Sequence, residues 1–200
     1  MAIATWLNVS PVSGSGSGSV SVGTQASHTG RVSRNTSITF RAAGVTDRPV
    51  SVTQSGKPEF VTIQATATAT KAGGNVTIAG KSNSKKLTFT LGTGDLAISL
   101  PANFTAASTS TANGDNITGD PGAAMEFDYS IVIPVGENET LDSKSKQIIV
   151  TDEGGHTATC NLTQAAGDAY LTVTPSSIEL TWEGTAQNVT VASNTTWEVV

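Results

Sequence analysis

The sequence predicts an all-β protein, a row of tandem β-sandwiches with the last one incomplete. Three observations carry this. Apolar and small polar residues alternate with period two over many short stretches, as at 37–41, 86–91 and 125–134, the pattern of strands with one dry and one wet face. No stretch predicts a helix. And a seam motif recurs: a strand ending Thr53-Gln54, a short turn and a new strand opening on Phe60 return as Thr163-Gln164 and Tyr170, each pair 110 residues apart.

The opening of the chain repeats the same element, because Trp6-Leu7-Asn8-Val9-Ser10-Pro11 matches Tyr170-Leu171-Thr172-Val173-Thr174-Pro175 in residue type. Repeats of this kind divide a chain into like units. They predict three: 1–57, 58–167 and 168–200.

In the first unit, strands are expected at Trp6 to Ser10, ended by Pro11, and again from Val20. The Gly-Ser run 14–18 between them reads as a long turn. Residues 37–41 place Ile38 and Phe40 inward, and a strand at 49–54 closes the unit. In the second, strands are expected at 60–63, 65–70, 75–79, 86–91, 96–100, 125–134, 147–151 and 157–162. The Ala/Thr run 65–70 packs weakly and belongs at a sheet edge. Residues 101–124 have few apolar anchors and read as a long projecting loop, one that orders only against another subunit. The third unit offers strands at 171–173, 178–182, 189–191 and 197–200, about half of what a seven-stranded sandwich needs. More polypeptide after Val200, or a neighbouring subunit, is expected to complete it; the second case makes the protein an obligate oligomer, a trimer if it is a fibre.

Composition narrows the function. The chain is 37% hydrophobic and only 14% charged, with a net charge of −5. Disorder goes with low hydrophobicity and high net charge together, so folded thin sheets are expected instead. Lys and Arg form no basic footprint, which argues against a nucleic-acid partner. No apolar run approaches a membrane span. Residues 1–5 lack the pattern of a secretory leader, so the chain is expected to be made in a bacterial cytoplasm. Nine Asn-x-Ser/Thr triplets are read as Asn and Thr alternating on wet strand faces.

Chemistry-bearing residues are sparse. Cys160, the single cysteine, is expected as a buried apolar residue on a strand. His28 and His156 are too few for a multi-histidine metal site. His156, with Asp152 nearby, reads as part of a solvated turn, since a catalytic triad is defined by geometry and not by composition. The oxygen-rich stretch 113–120, with Asp115 and Asp120, is the one weak candidate for a calcium ion. No catalytic residue, cofactor or resident metal is expected, and the protein is expected not to be an enzyme. Trp6, Phe60, Tyr170, Trp182 and Trp197 could stack on sugars, but their recurrence in register favours packing or interaction between units.

The ordered motifs are aromatic-Leu-x-Val-Ser/Thr-Pro, then Asn188-Val189-Thr190-Val191-Ala192-Ser193-Asn194-Thr195-Thr196-Trp197, then the closing Val52-Thr53-Gln54-Ser55-Gly56. Together they resemble the BACON family of immunoglobulin-like domains. The resemblance implies immunoglobulin-like sandwiches with no shared catalytic residues. Such domains stand beside glycan-degrading enzymes in Bacteroidetes surface proteins and in virion proteins of crAss-like bacteriophages. With a cytoplasmic origin, the resemblance implies a structural virion protein of a tailed phage. A head fibre or capsid decoration protein is expected first, docking on other virion proteins and leaving exposed loops for glycans. A tail component is the runner-up. A carbohydrate- or mucin-binding accessory domain of a surface protein is the alternative of another class.

Overall fold

The computed structural model describes residues 3–200. The described chain is all-β, with one turn of 3-10 helix at Pro121–Ala123. At the N-terminus, β1 (Leu7–Ser10) pairs antiparallel with β2 (Ser21–Thr24), and β3 (Arg34–Phe40) with β4 (Arg48–Gln54). These hairpins bury little: Leu7 and Ile38 are their buried apolar residues.

The central part is a two-sheet sandwich made from β5 (Val61–Ile63), β6 (Thr66–Ala69), β7 (Gly74–Ser82), β8 (Leu87–Leu91), β9 (Asn103–Ala106), β10 (Thr109–Ala112), β11 (Phe127–Val135), β12 (Lys144–Asp152) and β13 (Thr157–Gln164). One sheet has the order β10-β9-β11-β7-β5, the other β6-β13-β12-β8. β11 alternates strictly, with Phe127, Tyr129, Ile131, Ile133 and Val135 buried. They meet Leu87, Phe89, Ile148, Val150, Cys160 and Leu162 of the facing sheet in one apolar cluster. Each such side chain taken wholly out of water stabilises the fold by roughly 1.5–3 kcal/mol, which makes this cluster the main source of stability. The Ala/Thr strand β6 does lie at a sheet edge, pairing parallel with β13 alone. At the C-terminus, β14 (Leu171–Thr174) and β15 (Thr190–Ser193) form an isolated antiparallel pair.

Three expectations are corrected. Residues 101–124 are not a projecting loop. β9 and β10 form a hairpin turned at Ala107 and Ser108, both with positive φ, as a two-residue hairpin turn requires. β9 pairs with β11, Phe104 and Ile117 are buried, and the Ile117 N–H donates to the Lys85 carbonyl at 2.7 Å. Three buried apolar residues, Phe104, Ala106 and Ile117, are enough to stitch the segment down, because strand pairing does the rest. Residues 96–100 form only a single bridge, at Ile98. The strands expected at 178–182 and 197–200 are likewise absent; Leu180, Trp182 and Val199 there are exposed, with no second sheet to pack on.

Candidate functional site

The N-terminal hairpins leave a cleft of about 550 Å³ between the β1–β2 connection and β3. β1 ends where Pro11 removes a ladder donor. The chain then runs through Val12 and the glycines at 14, 16 and 18 before returning at Val20, and Gly16 takes a positive φ of 70°. Val9, Val12, Val20, Ile38 and Phe40 line the cleft, with Arg41 at its rim. Ile38 is buried, but Phe40, expected inward, is 43% exposed and Val12 is 74% exposed. Alternation put Ile38 and Phe40 on the same face of β3 correctly; the end of that face opens into the cleft. The Arg41 Nε donates to Asp47 Oδ2 at 2.9 Å, an exposed pair of small energetic value. The volume suits a ligand or an inserted side-chain cluster. The lining has no carboxylate, imidazole or thiol; it sets Val, Ile and Phe40 side chains among serines, Thr39 and the Arg41 guanidinium.

Asp120 does not serve a cation. Arg31 Nη1 and Nη2 donate to its two carboxylate oxygens at 2.6 and 2.5 Å, a bidentate pair joining the N-terminal segment to the central sandwich. That hydrogen bonding holds the Asp120 carboxyl below its ordinary range and the Arg31 guanidinium above its own. Asn113, in the same oxygen-rich stretch, is also occupied: its Oδ1 accepts from the Phe89 N–H at 2.7 Å and its Nδ2 donates to the Phe89 carbonyl at 3.0 Å. Asp115 is exposed, and among the described residues no group of three or more His, Cys, Asp or Glu is placed to hold a metal ion.

The Asp120 shift has a sign that can be checked. A carboxyl whose folded pKa is depressed stabilises the fold above its unfolded value, near pH 4. That contribution is lost as pH falls through the depressed folded value. Melting temperatures of wild type and Asp120→Asn are therefore expected to differ at neutral pH and to converge as pH drops below about 4. A constant difference across that window would contradict the assignment.

The other candidates are placed as follows. Asp152 is buried; its Oδ1 accepts the His156 backbone N–H at 2.8 Å and its Oδ2 lies 2.9 Å from His156 Nδ1, closing an exposed turn. Among the described residues no hydroxyl is bonded to that ring. Cys160 is fully buried on β13, and burial pushes its thiol pKa up. Trp6 lies under the Arg34 guanidinium, 4.7 Å from it, and Phe60 under the Lys57 ammonium at 3.8 Å. The packing role expected of the C-terminal aromatics is not seen within this chain: Tyr170, Trp197 and Trp182 are 48%, 53% and 94% exposed, because β14 and β15 have no facing sheet.

The sequence reading placed Ser193-Asn194-Thr195 in a motif but missed its counterpart, Ser82-Asn83-Ser84. Asn83 is fully buried and bonded to three backbone carbonyls. The signal was present: the two triplets are 111 residues apart, nearly the offset of the seams.

Comparison with known proteins bears on the N-terminal segment. Residues 2–55 match the BACON family model, described as "Putative binding domain, N-terminal". A search of curated proteins returns no match. Among solved structures, the chain is similar to the collagen-binding domain of the surface protein RspB of Erysipelothrix rhusiopathiae. The identity is 10%, the match covers 74% of this chain and 63% of that one, and the TM-score is 0.21. The chain thus spans less than two thirds of that structure, and a superposition this loose carries no argument about ligand or partner.

Proposed function

We propose that the chain is a non-enzymatic binding and display module, in which the cleft at residues 9–41 makes the contact and the central sandwich carries it. The observation behind this reading is the coincidence of the cleft with the segment that matches a binding-domain family. The occupant proposed is a protein surface. Carbohydrate sites pair aromatic platforms with converging polar groups, whereas this lining supplies a single aromatic, Phe40, among Val, Ile, Ser and Gly residues.

The proposed setting is the virion of a tailed bacteriophage, as a head fibre or capsid decoration protein that docks by shape and apolar contact. It rests on the resemblance of the seam and strand motifs to domains found in such particles. Quantitative mass spectrometry of purified particles tests the setting. A fixed copy number relative to the major capsid protein is expected; a copy number tied to the tail would move the protein there, and its absence from particles would overturn the reading.

One observation favours a second reading, a glycan-binding accessory module. Trp182 is almost wholly exposed, with Tyr170 and Trp197 half exposed in the same segment. Exposed aromatic faces suit stacking on sugar rings. Binding of immobilised mucin O-glycans that is lost in Trp182→Ala and kept in cleft variants would select it.

A further inference from the structure

The two seams of the chain are one joint built twice. At the first, the Lys57 N–H donates to the Gly30 carbonyl at 2.8 Å; at the second, the Gly167 N–H donates to the Thr140 carbonyl at 2.7 Å. Donors and acceptors are both 110 residues apart. A Ser-Asn pair then closes each joint from the far side. Asn83 Oδ1 accepts from the Phe60 N–H at 3.0 Å, and Asn194 Oδ1 from the Tyr170 N–H at 3.0 Å. Asn83 Nδ2 donates to the linker carbonyl of Pro58 at 3.2 Å and to that of Thr29, before the seam, at 3.4 Å. Asn194 Nδ2 donates to Asp168 at 2.9 Å and to Glu139 at 3.0 Å, the positions 110 residues on. The serines hold the asparagines in place. Ser82 Oγ donates to the Phe60 carbonyl and accepts the Ser84 N–H; Ser193 Oγ does the same with Tyr170 and Thr195.

These pairs are not needed to make the hairpin on which they sit. The register Leu7↔Thr24, Val61↔Ser82 and Leu171↔Ser193 makes Thr24-Gln25 the corresponding pair of the first hairpin. There Gln25 Nε2 turns back onto the Leu7 carbonyl of its own hairpin. The hairpin therefore forms without Ser-Asn, and Ser-Asn appears where one unit abuts the next. We propose that Asn83 and Asn194 are latch residues that lock each unit to the one before it, so that the chain is stiff at both seams and not a set of beads on flexible linkers. This stands whether or not the cleft binds a protein.

The seams differ in strength. Asn83 is fully buried, whereas Asn194 is partly exposed. The first seam adds Arg31–Asp120 and Lys57–Glu126; the second adds the exposed pair Lys71–Asp168. A glycine brings the backbones together at each: a Cβ on Gly30 would meet the Ala123–Ala124 backbone, and one on Gly167 the Asn138 carbonyl. A buried amide satisfying several carbonyls is costly to remove, so the first seam is the tighter.

The test is ¹⁵N relaxation of the full chain. Asn83→Asp keeps an acceptor for the Phe60 N–H but cannot donate across the seam. In wild type, residues 3–57 and 61–164 are expected to share one rotational correlation time. In Asn83→Asp, residues 3–57 are expected to tumble faster than 61–164, whose chemical shifts stay those of the intact sandwich. Asn194→Asp is expected to free only 171–193, and it decides the matter if Asn83→Asp unfolds. Separate correlation times already in wild type, or unchanged common tumbling in the folded variants, would overturn the proposal.

Discussion

Phe89→Ala is expected to destabilise the central sandwich by about 3–5 kcal/mol. Phe89 is 2% exposed at the middle of β8. Its ring lies between the sheets, 5.1 Å from the Phe104 centroid and 5.7 Å, edge on, from that of Tyr129. Truncation removes both aromatic contacts and leaves a void that neighbours cannot fill. The Phe89 backbone is clamped through both its N–H and its carbonyl by Asn113. Across the void, the Tyr129 hydroxyl is anchored to the Thr62 carbonyl at 2.7 Å. Urea unfolding followed by circular dichroism should show the midpoint fall with little change in slope. A loss below about 1 kcal/mol would mean that the sheets do not meet at this ring, since a large-to-small change in a packed core costs more than that.

Gln164→Ala is expected to cost roughly 1–3 kcal/mol, and Gln54→Ala clearly less, although the two residues are repeat equivalents. Both close a strand at a seam and both donate to the carbonyl 28 positions earlier, Gly136 at 2.6 Å for Gln164 and Ala26 at 3.2 Å for Gln54. Their surroundings differ. Gln164 is 2% exposed and also lies within reach of the Thr70 and Lys71 carbonyls. Gln54 is partly exposed and is backed by Arg34 at 2.9 Å. Water can replace the amide at the second site more readily than at the first. Paired unfolding curves of the two variants check this, and equal losses would contradict it.

The same comparison shows what could be read from the chain. The Thr-Gln ends and aromatic openings marked the seams because period-two strands and Gly turns leave a local imprint. The strands at β8, β11 and β13 were legible for that reason, as was the edge position of the Ala/Thr strand. The hairpin β9–β10 was not. Its inward residues are Phe104, Ala106 and Thr111, and only the first looks like a core residue. Its order comes from backbone pairing with β11, which side-chain pattern does not record. Asp120 stood as a weak cation candidate for a related reason. An acidic residue in an Asn- and Gly-rich stretch resembles a cation loop until the partner, Arg31, arrives from 89 positions away. The cleft was invisible because Phe40 keeps strand alternation, and only the open end of the sheet decides that it faces solvent.

Under the proposed virion setting, binding to purified particles that lack this protein tests the central claim most directly. Phe40→Asp changes the floor of the cleft, and Val132→Asp adds the same charge to an exposed position on β11; the two parent side chains are both 43% exposed. With both variants folded by circular dichroism, the cleft reading expects Val132→Asp to decorate the particles like wild type and Phe40→Asp to lose at least about tenfold in affinity, roughly 1.4 kcal/mol. Undiminished binding by Phe40→Asp, or an equal loss in both variants, would contradict the assignment of contact to the N-terminal cleft.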